Sequence, residues 1–127
     1  MFDFHPQLKQ RFAALRTGAE FFSLRYVRES GQYLSVRKNV AEPPSLSRDE
    51  GAMLTVRVNG VEAYAATNDL SQQGLQAALE RAEQQARRLK PHALLDLSDH
   101  AVSTARADYF SPNLDQPFPS LSDCSQL

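Results

Sequence analysis

The Asn59-Gly60 pair constrains this chain more than any other feature, because it stands between two runs of alternating apolar residues, 53–58 and 61–67. A two-residue Asn-Gly loop favours a type I′ turn, in which both central positions need positive φ. The register that follows sets Val58 opposite Val61, Val56 opposite Ala63 and Leu54 opposite Ala65 on one side of a hairpin. The other side pairs Arg57 with Glu62, Thr55 with Tyr64 and Met53 with Ala66. An opposite-charge pair across the ladder contributes about 0.2–1 kcal/mol and marks the wetter side. The Leu/Val/Ala side is expected to be buried.

A helical pattern follows the hairpin and supplies its cover. Leu75, Ala78, Leu79, Ala82, Ala86 and Leu89 form one stripe, with Gln76, Glu80, Glu83, Arg87 and Lys90 opposite. Asp69 or Ser71 caps its start, Asp69 with Gln72 resembling a capping box, and Pro91 stops it. Alanines on the helix stripe and at Ala63 and Ala65 predict a close approach of helix and sheet. Upstream, Pro6 opens a helix over 6–17 that carries Leu8, Phe12 and Leu15 and stops at Gly18. "EFFSLRYVRES" reads as a strand ending at Ser30-Gly31, and "QYLSVRKNV" as its hairpin partner. Pro43-Pro44 makes "AEPPSLSRDEG" a loop. The predicted fold is α+β: an antiparallel or mixed sheet of about four strands packed against an N-terminal helix and a longer helix at about 70–90.

At 127 residues the chain fits one domain. Its net charge of −1 gives no overall pull toward nucleic acid or anionic membrane. No apolar run reaches membrane-spanning length, and "MFDFHPQLKQRFAAL" is not a signal peptide. One cysteine, Cys124, excludes an intramolecular disulfide and suits a cytoplasmic location. Residues 1–108 read as the folded domain. The segment 109–127, with three of the seven prolines, reads as a linker toward an absent C-terminal domain. A chain ending after such a linker is expected to be cut from something longer.

Chemistry is sparse. His5, His92 and His100, with Asp96, Asp99 and Cys124, have no metal-ligand spacing and read as solvated or capping residues. Cys124 has nothing beside it to activate a thiolate, no nucleophile elbow occurs, and the five glycines lack phosphate-loop spacing. Arg25, Arg28, Arg37, Lys38 and Arg57 alternate with Phe21, Phe22, Tyr26, Tyr33 and Tyr64 on the predicted strands. Such a sheet can bind single-stranded nucleic acid, but strand arginines more often serve solubility and edge protection. No catalytic, cofactor-binding or metal-binding residue is assigned in this chain.

The order of parts over residues 19–90 resembles the N-terminal domain of the TldD/PmbA family. These are zinc-dependent peptidases and inactive, metal-free homologues, also called modulators of DNA gyrase. The residues that carry the resemblance are Glu50-Gly51, Val56-Arg57-Val58, Tyr64-Ala65-Ala66-Thr67 and Asp69-Leu70-Ser71, and "DYFSPNLDQPFPSLSD" resembles the family's linker. The resemblance implies a zinc metallopeptidase, a hydrolase of proteolysis, as parent. Its zinc would sit on a His-Glu-x-x-x-His helix in the C-terminal part, which these 127 residues do not contain, so this chain is expected to be inactive alone. The implied partners are the remainder of the parent polypeptide, a homo- or hetero-dimer partner of the same family, and unfolded peptide. Neither membrane nor nucleic acid is expected. The implied role is a non-catalytic domain that helps to form the peptide-access chamber and the dimer. The alternative is a freestanding α+β binding module for peptide or single-stranded nucleic acid.

Overall fold

The computed structural model describes residues 5–109, which divide into two units: 5–28 with 50–101, and 29–49 with 102–109. Two long strands, β1 (Phe21–Tyr33) and β4 (Ser45–Val58), each contribute residues to both. The chain is α+β, as its hydrophobic patterning predicts.

The first unit is a sheet of order β1-β4-β5, where β5 is Val61–Thr67, covered by helices α1 (Leu8–Ala13) and α2 (Gln72–Leu89). Strands β4 and β5 are antiparallel in the predicted register, from Val58 opposite Val61 through Leu54 opposite Ala65 to Ala52 opposite Thr67. Asn59 (φ 50°) and Gly60 (φ 79°) both adopt the positive φ that a type I′ turn requires. Leu54, Val56 and Ala63 point into the core against Leu75, Ala78, Leu79, Ala82 and Ala86 of α2, and Leu8 closes one end. The α2 stripe is thus where its 3.6-residue period places it. Leu89 is the exception: at the last turn it is 41% exposed, beyond the reach of the sheet.

Of the two predicted caps of α2 it is Ser71 that serves, and the Asp69–Gln72 capping box does not form. Ser71 is the N-cap, its hydroxyl accepting from the Gly74 N–H at 3.0 Å. Asp69 instead accepts from the Ser71 N–H at 3.0 Å, holding the approach to the helix. A β-carbon at Gly74 would collide with the Asp69 carboxylate and carbonyl, so the tight entry requires glycine in the first turn. At the other end α2 passes into a 3₁₀ turn, Lys90–His92, that contains Pro91. Helix α1 is shorter than the predicted 6–17; the Leu15 N–H closes it on the Phe12 carbonyl, and residues 16–17 are bonded to α2 side chains.

The second unit corrects two expectations. Strand β1 passes straight through Ser30-Gly31 to Tyr33, and "QYLSVRKNV" does not supply its partner. That stretch instead forms its own two-stranded hairpin, β2 (Val36–Arg37) with β3 (Val40–Ala41), closed by Lys38 (φ 52°) and Asn39 (φ 63°). The partner of β1 is β4, which starts at Ser45 directly after Pro43-Pro44, so "SLSRDE" is strand where a loop was expected. A proline pair forbids ladder donors only at its own positions, and pairing with β1 decides the residues after it. No residue of 29–49 is buried. Of the segment 109–127 read as a linker, only Tyr109 lies among the described residues.

Ala65 is partly buried and packs against the core. Ala65→Leu is expected to lower stability by about 1–3 kcal/mol through overpacking between β5 and α2. An unchanged urea midpoint would show that the space beside α2 is open.

Candidate functional site

The two-residue turn decides which backbone groups of β5 are engaged. In such a hairpin the residues flanking the turn exchange both hydrogen bonds, and pairs then alternate between bonded and non-bonded. Val61, Ala63 and Ala65 therefore bond to β4, while the N–H and C=O groups of Glu62, Tyr64 and Ala66 point away from it. Two contacts confirm this phase. On the other side of β4 the Arg57 carbonyl, in the non-bonded set, faces β1 and accepts from the Glu20 N–H at 2.9 Å. On β5 the outward carbonyl of Ala66 accepts from the Arg81 guanidinium of α2 at 3.2 Å. Among the described residues nothing bonds to the outward groups of Glu62 and Tyr64. Strand β5 thus presents a short unpaired edge, ended on one side by Arg81 and on the other by the turn.

The side chains of Glu62, Tyr64 and Ala66 lie on the sheet face away from α2, where Tyr64 is 65% exposed. The edge carries no lysine or proline that would deter an added strand. It offers an extended polypeptide alternating donors and acceptors, with side-chain contacts on one face only.

Arg57, on the predicted wetter side, is buried at 5% exposure. Its guanidinium donates to Glu62 Oε1 at 2.7 and 3.2 Å and to the His100 carbonyl at 2.9 Å, and lies 5.6 Å above the Phe21 ring. The charge pair formed as predicted, but the His100 carbonyl also engages the guanidinium, and Arg57 is buried. Residues 90–98 clasp the turn. The Leu97 N–H donates to the Gly60 carbonyl at 2.9 Å, and Lys90 Nζ donates to the Asn59 carbonyl at 2.7 Å. Asp96 lies against Gly60; its carboxylate accepts from the Ser98 hydroxyl and N–H, which hold its pKa below the ordinary carboxylate value.

A second polar array ties the N-terminal segment to α2. The Gln76 side-chain amide accepts from the Arg16 N–H at 3.0 Å and donates to the Arg16 carbonyl at 2.8 Å, as a neighbouring strand would. Gln72 donates to the Arg11 carbonyl, Arg11 donates to the Leu70 carbonyl, and the Thr17 hydroxyl donates to Glu83. An open cleft of about 710 Å³ lies here, lined by Ala14, Arg16, Gln72, Gln76 and Glu80 among others. The Gln72 and Gln76 amides in it are committed to the backbone of the N-terminal segment and form a seam.

Within the first unit the aromatic and basic strand residues are not all exposed. Phe22, Leu24 and Tyr26 turn toward the core, and Arg57 is buried. Tyr26 donates to Glu50 at 2.9 Å. Tyr33, Arg37 and Lys38 belong to the second unit. His92, His100, Asp96 and Asp99 are near in sequence but build no ligand set; among the described residues no three His, Cys, Asp or Glu side chains converge as a metal site. Cys124 lies outside the described residues. The described residues therefore offer no ligand set for a zinc ion. Among the described residues, no helix is long and apolar enough to cross a membrane.

The clasp and the Gln76 seam were not anticipated. Arg57 alternates with Val56 and Val58 and so reads as lying on the open face, and no local signal in the sequence shows that it is covered.

A family model described as PmbA/TldA metallopeptidase domain 1 matches residues 22–86, which run from β1 through most of α2 and include the whole β4–β5 hairpin. Neither a curated protein nor a solved structure matches the chain.

Proposed function

This chain belongs to the PmbA/TldA metallopeptidase family, and we propose that it serves as a non-catalytic first domain that receives extended peptide for the catalytic part of its parent protein. The observation that carries this reading is the unpaired outer edge of β5, with open backbone groups at Glu62 and Tyr64. Strand addition to such an edge gives affinity through main-chain hydrogen bonds and tolerates many sequences. That suits a peptidase family whose substrates are unfolded chains. Zinc and the residues that activate water on it are assigned to the rest of the parent protein. The domain's further roles in this reading are to wall the access chamber and to contribute to a homo- or hetero-dimer, in the cytoplasm.

Tyr64→Pro tests the reading with little disturbance to the fold. The Tyr64 N–H points outward, so proline there removes no bond to β4, yet it deletes an edge donor and blocks approach of a strand. Binding of a fluorescent peptide of about ten residues, a strand-length probe, is expected to fall at least about tenfold in Tyr64→Pro. It should be largely kept in Tyr64→Ala, which retains the backbone donor. Equal affinity for the proline variant and the wild type would remove β5 as the docking edge.

A further inference from the structure

We infer that Asn59-Gly60 is a self-modification site, a deamidation switch that the clasp from residues 90–98 holds closed. The chemistry needs only the chain and water. The Gly60 backbone nitrogen attacks Asn59 Cγ; a C–N bond forms, the Cγ–Nδ2 bond breaks, and the nitrogen leaves as ammonia with the proton from Gly60. Water then opens the succinimide at either carbonyl, giving aspartate or isoaspartate at position 59. Glycine as the following residue favours attack, because no side chain shields its nitrogen.

The structure supplies both the reactive pair and its restraint. Asn59 is exposed, so water and the departing ammonia have free passage. Attack requires the Asn59–Gly60 peptide plane to rotate until Gly60 N faces Cγ, a near-attack geometry that the turn must leave its folded state to reach. The plane and the next are pinned from outside. Lys90 Nζ holds the Asn59 carbonyl at 2.7 Å, and the Leu97 N–H holds the Gly60 carbonyl at 2.9 Å. The Asp96 carboxylate fills the space beside Gly60 Cα, where the plane would swing. Three groups from one segment thus converge on the one labile dipeptide of the hairpin.

The product would matter to the fold. Isoaspartate inserts an extra backbone carbon into a two-residue loop that sets the whole β4–β5 register. Either product adds a negative charge to the turn against which the Asp96 carboxylate lies. Loosening would therefore spread from the turn to the Arg57–Glu62–His100 contacts.

The test follows the mass gain of about 1 Da that accompanies replacement of an amide by an acid, using peptide mapping of the full chain held at mildly alkaline pH. Asn39, exposed, also at positive φ and followed by Val40, is the internal reference. A free peptide spanning 56–63 gives the unrestrained rate. The wild-type chain is expected to react at Asn59 much more slowly than the peptide. Lys90→Met removes one exposed-side-chain hydrogen bond without touching the core, and should accelerate reaction at Asn59 about fivefold, the factor one lost hydrogen bond gives to local opening. Asn39 should be unaffected. Leu97→Pro removes the second bond and should add to the effect, with unchanged circular dichroism showing that the fold persists. If the folded chain reacts as fast as the peptide, or if Lys90→Met leaves the Asn59 rate unchanged, the clasp does not guard the site.

Discussion

Replacing Leu79 by alanine is expected to lower the stability of the chain by about 2–5 kcal/mol, the range for deleting a fully buried leucine. Leu79 is 0% exposed and sits in the middle of α2, among Leu54, Val56 and Leu75, which are also at 0%. The alanines around it, Ala78, Ala82 and Ala86, let helix and sheet approach closely but leave few long side chains to collapse into a void. A small core with one dominant interface has little room to relax, which places the cost toward the upper part of the range. Leu94→Ala is the control, since Leu94 is 98% exposed and its truncation should change stability by no more than about 0.5 kcal/mol. Urea unfolding of both variants checks the pair. A Leu79→Ala loss below about 1 kcal/mol would mean that α2 is not the element that closes the core.

Gly60→Ala is expected to cost about 2–5 kcal/mol, although it adds only a methyl group to a two-residue turn. Two separable causes contribute. Alanine at φ 79° carries the left-handed penalty of about 1–2 kcal/mol. Its β-carbon would also occupy the place of the Asp96 carboxylate, so the clasp must shift or open, an overpacking cost of about 1–3 kcal/mol. The double variant Gly60→Ala/Asp96→Ala distinguishes them. Measured against Asp96→Ala alone, the glycine substitution should then cost only the backbone part, a coupling visible in a double-mutant cycle. Equal costs in both backgrounds would show that Asp96 does not pack on the turn.

These two substitutions also mark what the amino-acid sequence discloses. Leu79 was legible from periodicity, because burial on one helix face leaves a 3.6-residue repeat. The β4–β5 register was legible because an Asn-Gly loop admits few turn geometries, and one turn phases every residue after it. The contact between Gly60 and Asp96 was not legible. It joins residues far apart in the chain through a segment without periodicity, whose placement depends on the surface already folded beneath it. Arg57 illustrates the same limit: its pairing with Glu62 is local and was predicted, whereas its burial depends on the distant His100 carbonyl. The first half of strand β4 was missed for another reason. Pro43-Pro44 is a strong local signal, and the pairing with β1 that overrides it from Ser45 onward is a tertiary fact.

The unpaired edge of β5 follows from that same turn. The family match covers the hairpin and α2 together, and the reading of the domain as a peptide receiver rests on the edge they leave open. Amide hydrogen exchange resolved by residue tests it most directly. On addition of an extended peptide, the outward N–H groups of β5, at Glu62, Tyr64 and Ala66, should gain protection in alternation. The amides of Val61, Ala63 and Ala65, already bonded to β4, should stay as they were. Peptide binding that leaves the Glu62 and Tyr64 amides unprotected would contradict the account.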